Sequence, residues 1–167
     1  MSKRQQTVLC VADCNLSQLK SLLDKFQLEL NIEQGNHKIP GSYWGESEAG
    51  LIRNQVYVRN DTPIHSMLHE SCHYICMDDQ RRQNLDTDAA GDYDEENAVC
   101  YLQIILSDLI PEMGKQRMMQ DMNSWGYTFR LGSAQQWFEN DAEDALTWLK
   151  DSELLDNNNK PTFKVRS

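Results

Sequence analysis

The sequence predicts an α+β domain: a small, mostly antiparallel sheet packed on one buried helix, a second helix beside it, and a helical C-terminal part. Three observations lead there. Residues 64–77 carry apolar side chains on several sides and contain no glycine, as a buried helix does. Residues 27–33, 51–52 and 56–58 read as short strands. Beyond Pro111 the apolar spacing is helical. The length of 167 residues suits one domain with a substantial core, expected over 1–155, with polar residues 156–167 as a mobile tail.

In order along the chain, Leu16, Leu19, Leu22, Leu23 and Phe26 have helical spacing, with Asn15 as a cap. From Gln27 to Glu33 the pattern alternates, with Leu28, Leu30 and Ile32 on one face, as in a half-buried strand. Gly35-Asn36 marks a turn, and 41–50 is a loop holding Tyr43 and Trp44. Leu51-Ile52 and Val56-Tyr57-Val58 flank Arg53-Asn54-Gln55 as two short strands. The second of them, 55–59, immediately precedes the buried helix and is the candidate sheet edge for pairing with an extended peptide. Asn60-Asp61-Thr62-Pro63 is a helix start signal. The acidic run from Asp92 opens the second helix, which Pro111 ends. Met113 to Met122 is amphipathic and is broken at Trp125-Gly126-Tyr127. Ser133-Ala134-Gln135-Gln136 has capping-box form, and the apolar residues from Trp137 to Leu149 mark one or two further helices.

Composition excludes several roles. A net charge of −10 argues against binding a nucleic-acid backbone, which needs clustered lysine and arginine. No apolar run approaches a membrane span, and the stretch Thr7 to Ala12 is too short for a secretory signal. Five cysteines, an odd number in a chain without an export signal, fit a reduced, cytoplasmic setting. Cys72, Cys76 and Cys100 are expected to be small core residues.

The chemistry is carried by His69-Glu70-Ser71-Cys72-His73, which reads H-E-x-x-H. Residues four apart share a helical face, so His69 and His73 can grip one metal ion, with Glu70 beside them. Two histidines and a glutamate on a buried helix need partners, because unpaired buried polar groups are costly, and a zinc ion supplies them. No histidine follows His73, so the third ligand is of another type. Cys76 is one turn away but on the core side. The start of the second helix offers carboxylates. Glu95 is favoured as ligand, because Ala98, Val99 and Leu102 continue its face as an apolar stripe that can pack on the motif helix. Glu96, followed by Val99, Cys100 and Gln103, is the alternative.

This arrangement resembles the gluzincin-type metallopeptidases, and within them the small ImmA/IrrE-like minimal domains. The likeness rests on H-E-x-x-H preceded by Val56-Tyr57-Val58-Arg59-Asn60-Asp61-Thr62-Pro63, and on Glu95-Glu96-Asn97-Ala98 opening the next helix. It covers about residues 27–110. Cys72 replaces the usual glycine before the second histidine, and no DNA-binding extension is present in the sequence. The resemblance implies a zincin-like fold, one Zn2+ ion, and a peptide or protein substrate. Glu70 would be the general base, with water activated to a pKa near ~7. Candidates for contact with substrate or the oxyanion are His65, Tyr93 and Tyr127, with Tyr43 and Arg130 beside them; His65, on the face of His69, has capping of the buried helix as its alternative role, which is the one favoured. The competing expectations are a metal-binding or regulatory module that hydrolyses nothing, and a metal-free fold in which the histidines are structural.

Overall fold

The computed structural model describes residues 8–167; Thr7, at the start of the short apolar stretch, lies outside them. Helix α1 (Leu16–Asp24) begins where the Asn15 side chain accepts a hydrogen bond from the Gln18 amide at 3.0 Å, and it buries Leu19, Leu22 and Leu23. Strands β1 (Glu29–Ile32), β2 (Gly50–Ile52) and β3 (Gln55–Val58) form one sheet in the order β1-β3-β2. β2 and β3 make an antiparallel hairpin with Leu51 opposite Val56, while β1 runs parallel to β3 with Leu30 opposite the same valine.

Two sequence expectations change here. The sheet is mixed rather than mostly antiparallel. The long connection 33–49 leaves β1 and enters β2 at the same end of the sheet but skips the place beside β1, so β2 runs back and β3 takes that place in the direction of β1. β3 is also the central strand, not the expected edge, because its two sides are used by β1 and β2. The outer side of β2 is partly covered as well: the Leu51 amide donates to the Gly41 carbonyl at 3.2 Å, and its carbonyl accepts from Thr87 at 3.0 Å. Gly50 permits this packing, since a Cβ there would lie 1.8 Å from the Pro40 carbonyl oxygen.

Helix α2 (Ile64–Cys76) packs between the sheet and the helices that follow, with Pro63 at its N-cap and Thr62 accepting from the Arg59 amide at 2.8 Å in the turn before it. Its exposed positions are few: Ile64, Met67, Leu68, Cys72, Ile75 and Cys76 are all within the core. A short helix α3 (Asp79–Gln83), which the sequence pattern does not announce, is capped by Asp78. α4 (Tyr93–Ser107) is capped by Asp92, whose side chain accepts from the Glu95 amide at 2.8 Å, and it packs along α2. α5 (Gly114–Trp125) ends at Gly126, which takes φ +108° as a left-handed cap. The segment from Ala134 forms two helices, α6 (Ala134–Asn140) and α7 (Glu143–Asp151), the first capped by Ser133. Among the described residues the architecture is thus α+β, with seven α-helices and a three-stranded mixed sheet. None of the described helices is long and apolar enough to cross a membrane.

Residues 156–167, expected to be a mobile tail, are instead packed. Asp156 and Lys160 close a turn, and Phe163 lies with its ring centroid 5.5 Å from that of Phe26. The Arg166 amide then donates to the Ile75 carbonyl at 2.9 Å, and its guanidinium donates to the Cys76 carbonyl at 2.7 Å. The last carbonyls of α2 have no partner within the helix. The tail supplies donors to them, which its polar composition concealed.

Candidate metal centre

The polar face of α2 meets the polar face of α4 at the floor of a cleft of about 860 Å³. His69 and His73 come from successive turns of α2, and Glu96 from the first turn of α4. The His69 and His73 Nε2 atoms are 3.2 Å apart. Glu96 Oε1 lies 3.2 Å from His69 Nε2, and its Oε2 lies 3.4 Å from His73 Nε2.

The amide of Gln103, fully buried two turns beyond Glu96 on the same face of α4, decides what His69 presents. Gln103 Nε2 donates to the His65 carbonyl at 2.9 Å, a group that can only accept. That orients the amide, so Gln103 Oε1, 2.9 Å from His69 Nδ1, must accept the Nδ1 proton. In neutral His69 the Nε2 lone pair is therefore bare and aimed at Glu96 and His73. Acceptor atoms so close together repel unless a proton or a cation sits among them.

A metal ion fits this geometry. A tetrahedral zinc ion with bonds of about 2.0–2.1 Å holds its ligand atoms about 3.3–3.4 Å apart. The observed separations are of that size, 3.2 Å between the two Nε2 atoms and 3.2 and 3.4 Å from them to Glu96, whose two oxygens face one ring each. Cys100, one turn beyond Glu96 on α4, is a further donor on this side of the site: ligand atoms of His69, Glu96 and Cys100, a group without His73, all lie within 4.8 Å of one another. Without an ion, a proton takes that place. Burial works against the His69 cation, but Tyr127, Cys100 and Glu96 raise its pKa well above the ordinary histidine value. Burial likewise works against the Glu96 carboxylate, yet its hydrogen bonds to His69 and His73 hold it far below the usual carboxylate range.

Glu70 lines the same cleft and is 7% exposed. Burial pushes its carboxyl above the ordinary range, against the pull of His69 and His73. On the opposite wall Tyr127 stands edge-on to His69, ring centroids 5.6 Å apart. Its hydroxyl is 3.2 Å from His65 Nδ1. His65 itself is fully buried behind Tyr127 and Trp125 rather than on the cleft wall, and burial lowers its pKa to about 3. It is thus neutral and positions Tyr127, instead of meeting a substrate. Tyr93 is exposed at the cleft rim. Arg130 also borders the cleft, but its guanidinium is paired with Asp141 at 2.7 Å. Tyr43 is exposed and packs edge-on against Trp44 at the rim.

Glu95, the favoured third ligand, is elsewhere. Its carboxylate is held by both Arg81 nitrogens at 2.7 and 2.8 Å and by Arg166 at 3.2 Å. It folds over Gly91, where a Cβ would come within 2.1 Å of its oxygen. The apolar stripe that recommended Glu95 does face the core, and that same burial turns its carboxylate toward arginines on α3 and the tail. Adjacent helix residues point about 100° apart, so Glu96 is the one presented to the histidines.

Three site residues escape a sequence reading. Gln103 and Cys100 follow Glu96 at spacings of seven and four, so a polar stripe Glu96-Cys100-Gln103 on an otherwise buried helix is the signal for them. Glu48 reaches the cleft from the loop before β2, where Trp125 Nε1 donates to it at 3.3 Å and burial raises its pKa. No local pattern marks it. Cys72 and Cys76 are core residues. Comparison of the chain with known protein families, curated proteins and solved structures finds no match.

Proposed function

We propose that this protein is a zinc-dependent metallopeptidase of zincin-like type, with His69, His73 and Glu96 as ligands and Glu70 as general base. The observation that supports it most is the convergence of two Nε2 atoms and one carboxylate within 3.2–3.4 Å, with Gln103 fixing the tautomer of His69. Zinc, when bound in such a site, lowers the pKa of water and polarises a carbonyl.

The remaining steps belong to the chain. Glu70, with a carboxyl tuned upward by burial, takes the proton of the attacking water and passes it to the leaving amine. Burial also raises the Tyr127 phenol, so it stays protonated and serves as a donor to the developing oxyanion. With its proton on Nδ1, a neutral His65 would donate to the phenol oxygen at 3.2 Å and leave the phenol to donate elsewhere. The cleft walls, with Trp44, Phe129 and Trp137 among them, keep bulk water from a bound peptide. A module that binds metal without hydrolysis would have the same ligands but no use for Glu70.

Metal analysis of protein purified without chelators, with a peptide library read by mass spectrometry, tests the proposal. One zinc per chain is expected. Glu70→Gln should keep the metal and lose cleavage by about 10²-fold or more. A chain that takes up no metal, or a Glu70→Gln variant as active as the parent, overturns it.

A further inference from the structure

The number of protein ligands decides what a zinc site can do: three leave a position open, and four close it. α2 offers His69 and His73, and α4 offers Glu96 and Cys100. Both are pairs at a spacing of four, and each such pair lies on one face of its helix. The two faces look at each other across the α2–α4 contact. The Cys100 ligand atom belongs to the same cluster as those of His69 and Glu96, within 4.8 Å. Cys100 also forms part of the cleft wall, on the side from which water and substrate arrive, whereas Cys72 and Cys76 do not.

We infer that Cys100 is a displaceable fourth ligand, which holds the resting metal centre closed until its sulfur gives way to water. The inference rests on the metal site proposed above and adds a latent state to it. Closure joins the Cys100 sulfur to the ion: the thiol proton goes to bulk solvent, one water leaves the ion, and no electrons are transferred. Opening is the reverse, with a water taking the vacated position and the sulfur recovering a proton. A rotation about the Cα–Cβ bond of Cys100 is the motion that carries its sulfur on or off the ion, since the backbone of α4 is held by packing on α2 and α7. The softness of a thiolate further favours zinc or cobalt over magnesium or calcium at this centre.

Cobalt reconstitution of the full chain tests this without any substrate. The wild type should bind one cobalt ion and show a near-ultraviolet sulfur-to-cobalt charge-transfer band. Cys100→Ser should keep the cobalt and lose the band, while Cys72→Ser and Cys76→Ser keep both. Zinc should also slow alkylation of Cys100 by iodoacetamide, mapped by mass spectrometry, by about tenfold or more, a readout that needs no variant to fold. Cobalt bound without a sulfur band, together with alkylation indifferent to zinc, overturns the closed state and leaves the three-ligand site standing. A wild-type chain that binds no cobalt sinks both.

Discussion

Two neighbouring glutamates on one helix turn end in opposite electrostatic settings. Glu95 meets the cations of Arg81 and Arg166, so its cluster is complete within the protein. Glu96 meets two histidine nitrogens, and Gln103 holds the Nδ1 proton of His69, so the cation of this cluster is a proton on the far nitrogen that a metal ion can replace. A buried charge must be paired or bound to a metal, and Glu95, 4% exposed, is paired, whereas the Glu96 side chain is 41% exposed and open to the cleft. The comparison teaches that composition alone, two acids beside one another, is silent on role. What distinguishes them is which side of the cluster the counter-charge comes from: the chain, or outside it.

The largest effects should separate the two. Glu96→Ala is expected to weaken zinc binding by at least 10²-fold while leaving the fold in place. Glu95→Ala should do the converse, keeping zinc but costing about 2–3 kcal/mol of stability, because it strands two partly buried guanidinium groups. Chelator competition and urea unfolding of the same two variants read both quantities. If Glu95→Ala loses the metal and Glu96→Ala loses only stability, the assignment is reversed.

A smaller effect probes the outer layer. Gln103→Leu removes the acceptor that keeps the His69 proton on Nδ1. Loss of such a partner typically costs about 10–100-fold in metal affinity. Gln103→Glu keeps the acceptor but sets an oxygen against the His65 carbonyl unless it is protonated, so it should recover the affinity only in part. Equal affinity in the wild type and in Gln103→Leu would show that the tautomer is fixed by something else.

pH should act on the same pair of clusters unequally. In the metal-free chain the folded pKa of His69 is raised above its unfolded value. Its contribution to stability is therefore full below the ordinary histidine range and is lost as pH rises through the raised value. Zinc binding needs the neutral ring, so uptake should release a proton at neutral pH. Apparent affinity should then fall by about tenfold per pH unit below the raised value for each proton displaced. Calorimetry in buffers of different ionisation enthalpy measures that proton. Stability contributed by the Glu95–arginine cluster should not follow this profile.

The parts of this molecule that local chemistry dictates were legible in advance. The Asn15 and Ser133 caps, the alternation at Leu28 and Leu30, and the histidine pair on α2 all follow from spacing and side-chain type. The parts set by tertiary context were not. Strand pairing depends on the path of the 33–49 connection, and β3 looks like an edge until β1 is seen beside it. The choice between Glu95 and Glu96 turned on Arg81 and Arg166, of which one sits on an unforeseen helix and the other lies 71 residues away. His65 has the spacing of a cleft residue, but the aromatic pair Trp125 and Tyr127 covers it.

The tail gives the smallest and most local prediction. Arg166 donates to the Cys76 carbonyl at the end of α2 and to Glu95 at the start of α4, and its guanidinium also lies 5.0 Å from the centre of the Trp148 ring. It therefore links the ends of the two helices that carry the candidate ligands. Its side chain is only 30% exposed, so solvent replaces these contacts in part when they are removed. Arg166→Ala should cost about 1–2 kcal/mol in urea unfolding, the range for charge-assisted hydrogen bonds that are partly open to water. Arg81 alone would still neutralise Glu95, so zinc affinity should change by less than about threefold. A larger loss of affinity would mean that the tail tensions the metal site itself, and the two clusters would no longer be separable into a structural half and a chemical half.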